Sequence, residues 1–297
     1  MPIIIGEVAK ETMVKIKKAS DMGFCFGVRR AIELVEKAAN ERGPLQTLGA
    51  LVHNRQVVER LAEKGISVAS SLDEVTGGII AFASHGVSPD VIEHAQVRGL
   101  EVVDATCPFV RKAQVVAQRL GKAGFWVLVF GDATHSEVKS VLGWAGERSS
   151  ASLDVPQVDA LPRRIGILCQ TTQVQERFAE FVAEIISHKL ARFSELRIFN
   201  TICNATRKHQ AAALKLAAKS DIMIVVGGWN SANTIRLANI CADTGVDTHH
   251  IETAVEIVPS WLRGRSRVGV TAGASTPDEV IDEVIQALER TAKGNRQ

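Results

Sequence analysis

Tyrosine is absent from the 297 residues, so no phenol can serve as an acid or base. No uninterrupted apolar stretch approaches the ~20 residues that a membrane-spanning helix needs. The opening MPIIIGEVAKETMVKIKK holds too short an apolar run for a secretory signal. An excess of one charge is lacking too: 35 basic residues face 33 acidic ones, for a net charge of +2. That balance gives no whole-chain case for binding nucleic acid or a membrane surface, so an anionic substrate must be met locally. Cysteine is sparse, with five residues at wide spacing. This is unlike the dense framework of a small secreted domain, and a reducing cytoplasm is the expected compartment. No close C-x-x-C type pair exists, which argues against structural zinc. Neither a Walker sequence nor GxGxxG occurs, so a standard nucleotide site is excluded.

What is present is an alternation of strand and helix. Val14 and Ile16 alternate with lysines, and Val28, Ala31, Ile32, Val35 and Ala38 then recur at helical spacing up to Gly43-Pro44. Strands are expected at Leu45–Leu48, Ile66–Ala69, Ile79–Phe82, Val102–Val103, Phe125–Phe130, Ile165–Cys169, Ile222–Val226 and Val268–Thr271. Helices are expected from Ser88-Pro89, from Pro108 to about Lys122, after Gln173, over Asn204–Ala218 and Thr234–Ala242, and from Pro277. Near-continuous apolar strands between amphipathic helices predict mainly parallel sheets covered on both faces. The residues after Leu288 read as a fraying tail, and Met1–Glu11 as an extension.

Cys25, Cys107 and Cys203 share one context. Each follows an extended run and precedes a helix, where the helix dipole favours a thiolate. They divide the chain almost evenly, which predicts three α/β lobes: 26–107, 108–203 and 204–297, with 1–25 packing on the last. Three equivalent thiolates suggest one shared centre. An iron–sulfur cluster with one iron lacking a cysteine suits them better than zinc, and that open iron is a place for chemistry. Each cysteine taken alone reads equally as a buried structural residue, as Cys169 and Cys241 do.

His53, His85 and His135 lie in loops ahead of helices, beside these cysteines. One loop histidine is usually a solvated or capping ring. Three at the carboxyl ends of parallel strands point to a converging pocket that can hold phosphate oxygens. Glu137 follows His135 by two residues. It reads either as a proton donor or as a first-turn acid stabilised by the helix dipole. The loops at 170–172, 227–233 and 271–275 offer hydroxyls, amides and helix N–H groups, either as an anion cradle or as ordinary caps.

Together the motifs GFCFGVRRAI, VHNRQVV, SHGVSP, DATCPFV, THSEV, QTTQ, TICNAT, NSANTIRLA and TAGASTPDEVI resemble the 4-hydroxy-3-methylbut-2-enyl diphosphate reductase (IspH/LytB) family over nearly the whole chain. The resemblance implies a three-lobed, trefoil-like α/β fold around one [4Fe–4S] cluster held by Cys25, Cys107 and Cys203, with one open iron. It implies substrate contacts from His53, His85, His135, Thr171, Ser231, Asn233 and Ser275, and proton delivery by Glu137, directly or through Thr171. The implied reaction removes the allylic hydroxyl with two electrons and two protons, giving isopentenyl and dimethylallyl diphosphate plus water. A ferredoxin or flavodoxin is the implied electron donor, and a monomer is expected. Three residues depart from the common pattern of the family: Asp132, Ser136 and Ala232. Ala232 stands where a second serine is frequent, and Asp132 is expected to orient a neighbour. Two rival readings remain: a dicarboxylate enzyme on a similar three-cysteine cluster, which would need an arginine in its site, and a non-catalytic redox sensor.

Overall fold

A computed structural model describes residues 14–156 and 161–294. The extension expected over Met1–Glu11 lies outside the described residues. After β1 (Lys15–Lys18) and α1 (Phe26–Arg42), the chain forms β2 (Leu45–Leu48), α2 (Arg55–Glu63), β3 (Ile66–Ala69), β4 (Ile79–Phe82), α3 (Pro89–Val97) and β5 (Glu101–Asp104). A second group follows: α4 (Pro108–Lys122), β6 (Trp126–Phe130), α5 (Ser136–Ala145), β7 (Ser149–Ser152), β8 (Arg164–Cys169), α6 (Gln175–Lys189) and β9 (Glu195–Phe199). The last group is α7 (Asn204–Ala217), β10 (Ile222–Val226), α8 (Ala232–Ala242), β11 (Asp247–Ile251), β12 (Arg267–Ala272) and α9 (Asp278–Gly294).

The strands assemble into three four-stranded sheets, ordered β3-β2-β4-β5, β7-β6-β8-β9 and β11-β10-β12-β1. All paired strands are parallel. The three orders are the same. In each sheet the second strand flanks the first on one side, and the third and fourth lie on the other. The third sheet takes its fourth strand from the far end of the chain: β1 pairs with β12, Lys15 opposite Arg267 and Lys18 opposite Val270. The fold is thus three-lobed α/β, as expected, although the lobes share no visible sequence repeat.

Why the central strands are apolar throughout follows from their two covered faces. In β10, Ile222, Ile224 and Val226 enter one core while Met223 and Val225 enter another. In β6, Val127 and Val129 face α4 and α5, while Leu128 and Phe130 pack against Phe178 and Phe181 of α6. Proline opens α3 and α4, where its missing N–H costs nothing, and Gly43 at φ 91° closes α1.

Two expectations need correction. The stretch after Leu288 is not a fraying tail up to Gly294: α9 continues through it, and Ala292 is buried on the stripe of Val280, Ile281, Val284 and Leu288. Three strands were not expected at all, β7, β9 and β11, each an outer strand of its sheet. Their sequences SSAS, ELRIF and DTHHI are mostly half-buried or exposed and carry no continuous apolar run.

A sheet of this order has its switch point between its first and third strands, where ligands of parallel α/β sheets settle. Each sheet therefore offers three carboxyl ends to one place: those of its first, third and fourth strands.

Candidate active site

The fourth strand of each sheet delivers a cysteine. Cys25 follows β1, Cys107 follows β5 and Cys203 follows β9, and each is the N-cap of the next helix. Each cysteine N–H donates to a carbonyl in the loop after the third strand of the same sheet: Cys25 to Ala274 at 3.1 Å, Cys107 to Ser84 at 2.9 Å and Cys203 to Thr171 at 3.0 Å. Those loops carry Ser275, His85 and Thr171. The loops after the first strands carry His53, His135 and Ser231, and the first turns of α5 and α8 that follow carry Glu137 and Asn233. All eleven residues singled out from the sequence line one cavity of about 120 Å³. No lysine or arginine is among the residues that line it.

Gly27 is part of this convergence. A Cβ built there would lie 2.5 Å from Cys107 Sγ and 3.9 Å from Cys25 Sγ. Only a residue without a side chain lets the start of α1 come so close to the second cysteine. Helix dipoles were expected to favour thiolates, but burial outweighs them. It pushes the Cys107 thiol up to about 11 and the Cys203 thiol upward as well, against N–H donors of the helix start that act the other way.

The histidines cluster. The His53 ring lies 5.5 Å from that of His85 and 5.2 Å from that of His135, centroid to centroid. Burial lowers the pKa of all three, to about 3 for His85 and about 4 for His135, and the rings reinforce this through mutual repulsion. They are neutral at neutral pH. His135 Nδ1 accepts the N–H of Glu137 at 3.1 Å as the cap of α5, which leaves its proton on Nε2. His53 Nε2, His85 Nδ1 and both amide atoms of Asn233 are buried without a hydrogen-bond partner. Buried polar atoms are rarely left so, and these four mark where a polar ligand belongs. Ser231 caps α8 by accepting the N–H of Thr234 at 3.3 Å, and its own O–H remains able to donate.

Glu137 is 3% exposed. Its Oε1 accepts the Thr171 N–H at 2.6 Å and its Oε2 meets the Thr171 O–H at 2.7 Å. Burial raises its pKa, while the Thr171 donors and then the nearby Arg236 act against the rise. A buried carboxyl with a raised pKa, bonded to a hydroxyl in a cavity, is arranged to hold and release a proton.

Arg236 was not singled out from the sequence. Its guanidinium reaches from α8 to the loop after β8, donating from Nε to Gln173 Oε1 at 3.0 Å and from its terminal nitrogens to Gln170 Oε1 at 3.1 Å and Thr172 Oγ1 at 3.4 Å. It thus braces the turn whose second residue is Thr171. Its signal in the sequence was an arginine in an otherwise uncharged helical segment, SANTIRLANI. Asp132, half-buried, accepts from Thr134 N at 2.9 Å and Thr134 Oγ1 at 2.7 Å and so orders its own loop. Ala232 lines the cavity beside Ser231 and contributes no side-chain donor.

The family model described as LytB protein matches residues 16–289. A 4-hydroxy-3-methylbut-2-enyl diphosphate reductase of Dehalococcoides mccartyi strain CBDB1 is 49% identical over 284 residues, covering 95% of this chain and 100% of the relative. One of Geobacter metallireducens is 47% identical over 277 residues, covering 93% and 97%. Among solved structures, the E-1-hydroxy-2-methyl-but-2-enyl-4-diphosphate reductase of Plasmodium falciparum superposes with a TM-score of 0.87 at 28% identity, covering 92% of this chain and 87% of that one. A second, an (E)-4-hydroxy-3-methyl-but-2-enyl diphosphate reductase described as the terminal enzyme of the non-mevalonate pathway, gives a TM-score of 0.66 at 39% identity, covering 94% and 100%.

Proposed function

The chain belongs to the LytB family and is a 4-hydroxy-3-methylbut-2-enyl diphosphate reductase of the non-mevalonate isoprenoid route, and from that premise we propose that Cys25, Cys107 and Cys203 hold one [4Fe–4S] cluster while the surrounding residues bind and protonate the substrate. The observation that carries this reading is the single cavity in which three cysteines from three sheets meet the Glu137–Thr171 pair and the unpartnered polar atoms of His53, His85 and Asn233. The cysteines fit such a group. Their three side chains line the same cavity, and the missing Cβ of Gly27 keeps the space beside the Cys107 and Cys25 sulfurs clear.

A bound cluster with one iron free of cysteine supplies Lewis acidity toward the allylic hydroxyl and electrons one at a time. The chain's own residues do the rest. Neutral His53, His85 and His135 donate ring N–H groups to the diphosphate, joined by the hydroxyls of Ser231 and Ser275 and the amide of Asn233. The N-terminus of α8 adds its dipole, which favours an anion without a buried cation. Fixing the diphosphate positions the allyl group at the cysteine end of the cavity. Glu137 passes a proton through Thr171 Oγ1 to the departing oxygen. The balance is one substrate, two electrons and two protons to one five-carbon diphosphate, isopentenyl or dimethylallyl, and one water. A ferredoxin or flavodoxin is the proposed donor, and the cytoplasm suits five free thiols. The dicarboxylate rival finds no support, since arginine is missing from the lining.

The test is anaerobic. The protein is purified, reconstituted with iron and sulfide, and mixed with substrate and reduced methyl viologen. Dye oxidation with both five-carbon diphosphates as products is expected. An intact cluster without turnover would overturn the substrate assignment, and failure to bind iron would overturn the cysteine assignment.

A further inference from the structure

The three cysteines share more than their position as N-caps. Each is followed at its fourth and fifth residues by two cations: Arg29-Arg30, Arg111-Lys112 and Arg207-Lys208. No acidic residue occupies the first turn of α1, α4 or α7.

Helix geometry separates these residues from the cavity. At ~100° per residue, the second and third residues after each cysteine point one way, the first and fourth point nearly opposite, and the fifth points to the flank. The burial pattern agrees. Gly27-Val28, Phe109-Val110 and Ala205-Thr206 line the cavity. Phe26, Pro108 and Asn204 are exposed on the other side, Phe26 to 65%. Of the six cations, Arg29, Lys112, Arg207 and Lys208 are exposed and Arg30 and Arg111 are half-buried.

The three turns converge on one cavity at their cysteines, and the first two touch each other. Arg30 Nη1 donates to Thr106 O at 3.2 Å, beside Cys107, and Gly27 abuts the Cys107 thiol. The acids nearby are few. Asp278 pairs with Arg29 at 3.2 Å, Asp104 pairs with Arg111, and Asp21 interacts with His209 of α7. With Glu33, exposed one helical turn beyond Arg29, six cations face four carboxylates, so this small patch by itself carries an excess of two positive charges, as much as the whole chain. A large exposed aromatic ring inside a positive patch is unusual on a surface with no partner.

We propose that the outer faces of these three first turns, centred on Phe26, are the docking surface for a small acidic one-electron carrier protein of the ferredoxin class. The inference rests on the reductase reading above and places the donor on the side of the cysteines away from the substrate. Each docking event oxidises one reduced carrier by one electron. Two events, with two protons, complete the cleavage of one C–O bond and the release of one water. The substrate side needs no opening for this, so the carrier can dock while substrate is bound.

The experiment compares two donors on the reconstituted enzyme: methyl viologen, which needs no docking surface, and an acidic ferredoxin kept reduced by its NADPH-dependent reductase. The variant is Lys112→Glu with Lys208→Glu. Both residues are exposed, and a carboxylate near a helix N-terminus is favoured by the dipole, so folding is retained. The expected result is a ~10- to 100-fold fall in ferredoxin-driven kcat/KM at low salt, with viologen-driven turnover within about twofold of wild type. Calorimetric ferredoxin affinity falls in parallel, and wild-type ferredoxin turnover declines between about 20 and 200 mM salt while the viologen rate does not. The milder Lys112→Ala, Lys208→Ala protein should fall between. Unchanged ferredoxin affinity and turnover in the charge-reversed protein would overturn the proposal, as would a wild-type enzyme that the ferredoxin neither binds nor reduces. Absence of viologen turnover in the wild type would instead strike the reductase reading, and the affinity measurement would still decide the surface.

Discussion

Replacing Glu137 by Gln separates proton delivery from architecture. The carboxyl group is buried and makes two contacts, both to Thr171, one at 2.6 Å from the backbone N–H and one at 2.7 Å with the hydroxyl. An amide of the same shape keeps an acceptor for the N–H and turns an N–H toward the hydroxyl oxygen, which can accept. Both hydrogen bonds survive, so the stability change should stay within ~1 kcal/mol, at most about 2 °C in Tm for a chain of this size. The amide also needs no desolvation of a charge. What it lacks is a transferable proton, and loss of a positioned acid costs ~10²–10⁴ in rate. At ~1.36 kcal/mol per tenfold, the transition state loses roughly 3–5 kcal/mol. The assay is viologen oxidation under anaerobic conditions, with iron content and visible cluster absorbance measured on the same sample. Turnover within twofold of wild type, at full iron content, would refute the assignment of Glu137 as the acid. Lost turnover with lost iron would refute the claim that the substitution leaves the architecture intact.

Gly27→Ala places a methyl 2.5 Å from Cys107 Sγ, against an ordinary contact of ~3.5–4.0 Å. Reconstituted iron per protein should fall below about half of wild type while far-ultraviolet dichroism is unchanged, since the clash is with a ligand and not with the sheet. Ala232→Ser restores a hydroxyl beside Ser231 in the cavity wall; a hydrogen bond to a charged group is worth ~1.5–3 kcal/mol, so KM for the diphosphate should drop roughly tenfold or more, and an unchanged or raised KM would count against the cradle. Asp221 joins the start of β10 to that of β12, accepting from Ser266 N at 2.9 Å, Ser266 Oγ at 2.8 Å and Arg267 N at 2.9 Å as well as from the Arg267 guanidinium. These donors, the Arg267 side chain first, hold its pKa well below the usual carboxylate range. Its stabilisation is therefore present above the unfolded value near 3.8 and is lost as pH falls further toward the folded value. Asp221→Asn should lower Tm at pH 6–7, at a cost of ~1–3 kcal/mol, and thermal melts of variant and wild type should begin to approach each other only below about pH 4 and draw closer as pH falls further.

How much was legible follows from which physical signals act locally. The central strands announced themselves because both of their faces are buried, which forces continuous runs such as Ile222–Val226. The outer strands β7, β9 and β11 have an open face, and a neighbouring backbone, not side-chain burial, holds them in place. The C-terminal stripe ending in Ala292 was readable at helical spacing, but its polar partners masked it. Cys25, Cys107 and Cys203 stood out by context, whereas Arg236 did not. Its importance comes from crossing between α8 and the loop after β8, residues some sixty positions apart in the chain. The burial that raises the Cys107 and Cys203 thiols was likewise not legible, because a helix start is visible in the sequence whereas desolvation is a property of three packed sheets.

By itself the sequence determined the local elements, the chemical kinds of donor at each strand end, and the shared spacing of the cysteines and the cations behind them. These depend on periodicity, capping and side-chain identity within a turn or two of helix. Only the tertiary structure decided that the three sheets repeat one strand order, with β1 completing the third across almost the whole chain. Only it brought their carboxyl ends to a single cavity, neutralised the histidines, left Asn233 without a partner and aimed Glu137 at Thr171. Each of these depends on desolvation or contact between residues distant in sequence, and neither is encoded at any one position.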